Sequence, residues 1–153
     1  MKLERAPKVI AFDAFETIVH FTPTANTHGV GAYHTLFRAG NMPANERNQR
    51  RNLAMTKNET REDICTYVSN AFTKIETVRL QELRELLDNE LASMQFYNDT
   101  IPTLLKLAAR GYPLSIASNL AQPYGVELRN MIHQDATLRH IIDQQRSAFS
   151  YEV

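Results

Sequence analysis

Apolar residues in this chain gather in short continuous runs and, between them, recur every three or four positions. Lys8 to Asp13 is a run of β-branched and aromatic residues that ends in a carboxylate, the pattern of a strand buried on both faces. Pro113-Leu114-Ser115-Ile116-Ala117 reads as a second buried strand ending at Ser118-Asn119, and Ala148 to Val153 as a third. Tyr33 to Ala39 predicts a short helix stopped by Gly40-Asn41, with Pro43 close behind. Glu59 to Phe72 and Ile75 to Phe96 both predict helices. In the second, Leu80, Leu83, Leu87, Leu91 and Met94 form one apolar stripe, with Glu82, Arg84, Glu85, Asp88 and Glu90 on the solvent side. That stripe suits a partner helix or, more commonly, packing within the same chain. Asn98-Asp99-Thr100 offers a helix cap, Pro102 fits the first turn and Gly111 the left-handed stop. A last helix is predicted from about Tyr124 to Ile132.

Strands alternating with helices predict an α/β fold in which about three parallel strands are joined by right-handed crossovers. The core is expected in residues 1–20 and 97–153, with a helical insertion at 21–96. Ligands of such sheets bind outside the carboxyl ends of the strands, where Asp13 and Ser118-Asn119 fall.

Charge and composition narrow the partners. The 17 Lys and Arg balance the 17 Asp and Glu, so the basic surplus that nucleic-acid binding needs is missing. The basic stretch at 44–61, with Arg47, Arg50, Arg51, Lys57 and Arg61, reads first as a solvated face. Its sharper alternative is a phosphate-gripping patch, which would make the chain a nucleic-acid accessory protein. The run Val9-Ile10-Ala11-Phe12 is too short to span a bilayer, no secretory pattern opens the sequence, and Cys65 is the one cysteine. A cytoplasmic protein without disulfides or membrane contact is the expectation. Cys65 reads as a buried thiol rather than a nucleophile. His20, His28, His34, His133 and His140 have no metal-ligand spacing, and no Gly-Lys-Ser/Thr follows Gly29 and Gly31.

The strand ends carry the candidate chemistry. Asp13 can act as a nucleophile that forms an ester or phosphate intermediate. The Ser118 hydroxyl, the Asn119 amide and nearby backbone N–H groups can hold the oxygens of the transferring group. The plainer alternative is that Asp13 caps a turn and Ser118-Asn119 begins a helix.

Here the sequence resembles the haloacid dehalogenase-like superfamily. Val9-Ile10-Ala11-Phe12-Asp13-Ala14-Phe15-Glu16-Thr17-Ile18-Val19 matches its first motif, an apolar strand followed by Asp-x-x-x-Thr. Leu114-Ser115-Ile116-Ala117-Ser118-Asn119 is similar to the Ser-Asn form of its second motif, and Phe96 to Tyr112 to the helix before it. The insertion has the size and helical character of the family's cap. The resemblance implies a Rossmann-like core, Asp13 as nucleophile, and Thr17, Ser118 and Asn119 around a small anionic substrate. It also implies a cap arginine on the substrate carboxylate in the dehalogenase branch, for which Arg38 is the counterpart. That branch needs no metal; the phosphatase branch uses Mg²⁺, with Asp13 among its ligands.

The sequence departs from the family pattern at four places. Phe15 stands where family phosphatases carry a proton-transferring Asp, which favours the dehalogenase branch. Glu16 replaces a common Gly and adds negative charge beside the site. The family's third-motif Lys has no counterpart, since Lys106 is the last lysine, and the paired acids of the fourth motif are missing. The chain resembles a member truncated within its core. The expected function is therefore a catalytically impaired relative that binds an anion and acts by binding or oligomerisation. The alternative is an active hydrolase of carbon–halide or phosphate-ester bonds, completed by a second chain. Val9 to Phe12 would then be an exposed sheet edge, covered in a homo-oligomer or by a protein partner.

Overall fold

The computed structural model describes residues 9–22, 33–71, 80–143 and 145–152. Lys8, His28, Gly29, Gly31, Phe72, Ile75 and Val153, named above, lie outside them. In chain order come β1 (Ile10–Phe12), β2 (Val19–Phe21), α1 (His34–Ala39), α2 (Ala44–Met55), α3 (Arg61–Ala71) and α4 (Leu80–Ala92). They are followed by β3 (Met94–Phe96), α5 (Thr100–Ala109), β4 (Leu114–Ser118), α6 (Gln122–Gln134), α7 (Ala136–Ile141) and β5 (Ala148–Phe149). A turn of 3-10 helix, Ser150–Glu152, closes the described chain.

The fold is α/β. Strands β1, β4 and β5 form one parallel sheet in the order β1–β4–β5, with Ile10 opposite Leu114, Phe12 opposite Ile116 and Ser118 opposite Phe149. β4 takes the middle because Leu114, Ser115 and Ile116 are all buried, as its uninterrupted apolar run requires. Its backbone is satisfied on both sides: the Ile10 N–H donates to the Pro113 carbonyl (2.8 Å) and the Asp143 N–H to that of Leu114 (2.8 Å). β1 lies at the edge, with one strand neighbour among the described residues, and Val9 and Ala11 are exposed there.

β2 and β3 pair antiparallel, Val19 with Phe96 and Phe21 with Met94. The chain leaves for the helical insertion and returns through this ribbon, in which β2 crosses the expected boundary at 20/21 and β3 ends at the one at 96/97. It also corrects the helix expected to run to Phe96. Ser93 ends α4 by donating its hydroxyl to the Glu90 carbonyl (2.7 Å), a local bond that competes with the helical ladder. Its own carbonyl then accepts the Thr22 N–H (2.8 Å), and the following residues join β2. A second correction concerns Glu90, which is 2% exposed rather than on the solvent side.

Other local expectations differ in detail. Asp99 precedes α5 without a side-chain cap bond; instead the Thr100 hydroxyl donates to the Ile18 carbonyl (2.9 Å), tying α5 to the turn after β1. Gly111 adopts the expected left-handed φ of 82°. α7 was not expected; Asp135 caps it, its Oδ1 accepting the Thr137 and Leu138 N–H groups at 2.9 Å each. β5 is shorter than expected because Glu152 folds back to accept the Phe149 N–H (3.1 Å) and the Arg129 guanidinium (2.8 Å).

The basic stretch is not a uniformly solvated face. Arg50 is 7% exposed, ion-paired to Glu59 at 2.7 Å and covered by the Tyr67 ring at 4.1 Å. Arg47 donates to the Met42 carbonyl (2.6 Å), and Arg61 pairs with Asp88. Three of the five basic side chains of the stretch are thus turned to partners of their own within the chain. Cys65 is buried as expected, and burial pushes its thiol up to about 11. Among the described residues no helix is long and apolar enough to cross a membrane.

Gly125 in α6 lets the closing 3-10 turn approach closely: a Cβ there would meet Tyr151 Cε1 at 2.3 Å. Gly125→Ala gains about 1 kcal/mol of helix propensity and loses about 1–3 kcal/mol to overpacking. The expected result in urea unfolding is net destabilisation by about 1 kcal/mol, relieved when Tyr151→Leu is added to Gly125→Ala.

Candidate functional site

β1 and β4 run side by side and deliver Asp13 and Ser118 to one place. The Ser118 hydroxyl donates to Asp13 Oδ1 at 2.5 Å, across 105 residues of chain. The Ala14 N–H donates to the same oxygen (2.8 Å) and lies 3.3 Å from Ser118 Oγ. After Asp13 the chain makes one tight turn in which the Ile18 and Val19 N–H groups both reach the Ala14 carbonyl (2.8 and 3.0 Å). Glu16 occupies the left-handed region at φ 59° to close it. Of the expected group, Asp13 and Ser118 are in contact; Thr17 lies in the turn after Asp13 and Asn119 follows Ser118, both exposed.

Beside this turn is a cavity of about 280 Å³. The turn contributes Phe15 and Glu16, β2 Phe21, α2 Arg51 and Met55, and the segment after β4 Asn119, Leu120 and Ala121, with Tyr124 from α6. Asp13, Thr17 and Ser118 are not on its wall, so the cavity lies next to the strand-end group and shares Asn119 with it. Arg38 is exposed on α1 and does not reach it. The arginine that does is Arg51, which sequence reasoning had left within the basic stretch.

Phe15, unable to transfer a proton, has a packing role. Its ring stacks on Phe21 at 4.8 Å, and Tyr124 meets both rings edge-on at 6.1 and 5.9 Å. Glu16 is drawn to the rim, where its carboxylate accepts the Tyr97 hydroxyl (3.3 Å), and Tyr97 in turn stacks on His20 (4.5 Å).

Two fastenings hold the insertion over the core and give the cavity its shape. Buried Glu90 of α4 accepts the Tyr124 hydroxyl (2.6 Å) and the Tyr33 N–H (3.0 Å), while that N–H also reaches Tyr124 Oη (2.7 Å). On the other side Ser150 Oγ lies 2.6 Å from the Met55 carbonyl and 3.1 Å from that of Leu120, joining the end of α2 to the loop after β4. Burial and the neighbouring carboxylates, Glu90 for Tyr124 and Glu59 for Tyr33, hold both phenols well above their ordinary value.

The residues at the strand ends do not fit Mg²⁺. Among the described residues no three His, Cys, Asp or Glu side chains converge, and Asp13 Oδ1 is already taken by Ser118 and Ala14. No family model, no curated protein and no solved structure matches this chain.

Raised phenol values carry a sign for stability. Between the ordinary value of about 10 and the folded one, the unfolded chain sheds phenolic protons that the folded chain keeps, so stability falls as pH rises. Urea midpoints are expected to drop from pH 8 to above pH 10, and less steeply in Tyr124→Phe. At neutral pH that variant is expected to lose about 1–3 kcal/mol, because Glu90 forfeits a buried donor.

Proposed function

We propose that this chain is a haloacid dehalogenase-like relative that binds a small anion at the carboxyl ends of β1 and β4 and turns it over poorly. The observation that carries this reading is the Ser118–Asp13 hydrogen bond. Two motifs far apart in sequence meet at the ends of adjacent parallel strands, the place where sheets of this kind hold ligands. With Oδ1 engaged, Oδ2 remains for attack on a carbon bearing halide, or on phosphorus. The halide or alcohol would leave, and water would cleave the resulting ester or acyl phosphate.

The same geometry argues for weak turnover. The Ser118 proton is directed at Asp13, so an incoming anion must win it from a carboxylate. No lysine follows Lys106 in these 153 residues to offset two like charges. Each missing donor of this kind costs about 10²–10³ in rate. A binding role, with a second chain at the β1 edge, accounts for the site better than unaided catalysis. The alternative, a hydrolase whose missing cations come from that second chain, has the single-neighbour edge of β1 in its favour.

Hydrolysis of a generic phosphate ester and of a 2-halo-acid, with and without Mg²⁺, tests the reading on wild type and Asp13→Asn. Wild type is expected to stay close to the Asp13→Asn background. Turnover in wild type at about 1 per second or faster that Asp13→Asn abolishes would overturn the impaired reading and establish the aspartate nucleophile.

A further inference from the structure

Arg51 is half-buried at the cavity wall, its Nε is shut off from water, and that donor has no hydrogen-bond partner among the described residues. Its neighbour Arg50 also has Nε and Nη1 without acceptors among the described residues, but its charge is paired through Nη2 with Glu59, and Arg61, Arg84 and Arg129 each have a carboxylate; Arg51 has none among the described residues. A buried charged donor without an acceptor is unfavourable, and native structures rarely keep one without a use. The rest of the wall is mostly apolar: Phe15, Phe21, Met55, Leu120 and Tyr124, with the Asn119 amide as a second polar group. One cation set against an aromatic wall is how ligand pockets orient a molecule with an anionic head and an apolar body.

We propose that this cavity binds a small monocarboxylate with an aromatic or branched apolar body. The carboxylate is held by the Arg51 guanidinium and the body lies against Phe15, Phe21 and Tyr124. A planar guanidinium matches a carboxylate in a two-pronged contact. Glu16, on the same rim, and nearby Asp13 disfavour a dianion facing a single cation. The volume, about 280 Å³, is near the lower end of the range for small-molecule sites, so a two-carbon acid would leave most of the apolar wall uncovered. Asp13 is not on the wall, so the ligand sits beside the strand-end group rather than over it. The proposal deepens the binding reading and rests on it only through the shared Asn119.

Isothermal titration with phenylacetate, acetate and phenyl phosphate tests this on the full chain. Phenylacetate is expected to bind with a dissociation constant at or below about 1 mM, and acetate much more weakly. Arg51→Gln should weaken phenylacetate by about 10–100-fold. Arg51→Lys, which keeps the charge without the fork, should weaken it by about tenfold and serves if the first variant does not fold. Arg110→Gln, an exposed arginine after α5, is the control. Phenylacetate that fails to bind folded wild type, or that binds both Arg51 variants as tightly as wild type, would overturn the proposal. Phenyl phosphate binding more tightly than phenylacetate, and weakening in Ser118→Ala but not in Arg51→Gln, would also overturn it while leaving the strand-end anion reading in place.

Discussion

A carboxylate that is 2% exposed constrains everything around it, and in this fold that carboxylate is Glu90. An ionised group cannot be taken out of water unless donors meet it, and here they come from two different parts of the chain. Tyr33 N–H belongs to the insertion and the Tyr124 hydroxyl to α6 of the core. Satisfying Glu90 therefore fixes where the insertion sits on the sheet. It also fixes Tyr124, whose ring then forms one wall of the cavity and packs edge-on against Phe15 and Phe21. The position of the cavity follows from a hydrogen-bond requirement some way behind its surface.

The strand-end group obeys a different constraint. β1 and β4 are parallel neighbours with Phe12 opposite Ile116, a register that brings Asp13, just past β1, against Ser118, the last residue of β4. Asp13 and Ser118 use that meeting to satisfy each other, and the tight turn after Asp13 swings Phe15 and Glu16 over the cavity. The strand end and its one turn thus place a carboxylate beside the aromatic wall of a neighbouring apolar space. The division explains Phe15: a second carboxylate there would replace the ring that stacks on Phe21.

Much of this was legible in the sequence where the signal was local. The continuous apolar runs identified β1 and β4, Gly111 marked the end of α5, and the strand-end logic singled out Asp13, Ser118 and Asn119. What was not legible depended on partners remote in sequence. Met94 continues the helical stripe of α4 by spacing alone, yet it pairs with Phe21, some seventy residues earlier, because β2 offers an open ladder. Glu90 follows Leu83 by seven residues and Leu87 by three, so it shares their buried face, yet its charge masks this and nothing near it in sequence announces Tyr33 and Tyr124. Asp135 was a cap signal that could have been read, directly before the helix it starts.

The pair Arg50 and Arg51 carries this lesson furthest. Adjacent residues on a helix point about 100° apart, so two arginines in succession cannot share an environment unless both are in solvent. α2 lies between the interior of the insertion and the cavity at the core. Arg50 is directed to the first, where Glu59 and the Tyr67 ring meet its charge within the chain. Arg51 is directed to the second, where the wall is aromatic and aliphatic and Nε meets no acceptor. A polar, basic stretch of sequence gives no hint of that split, since composition is the same for both residues. The fold separates them, neutralising one charge internally and leaving the other facing a space of ligand size, with Ser150 holding the end of α2 against the loop after β4 so that the space keeps its width.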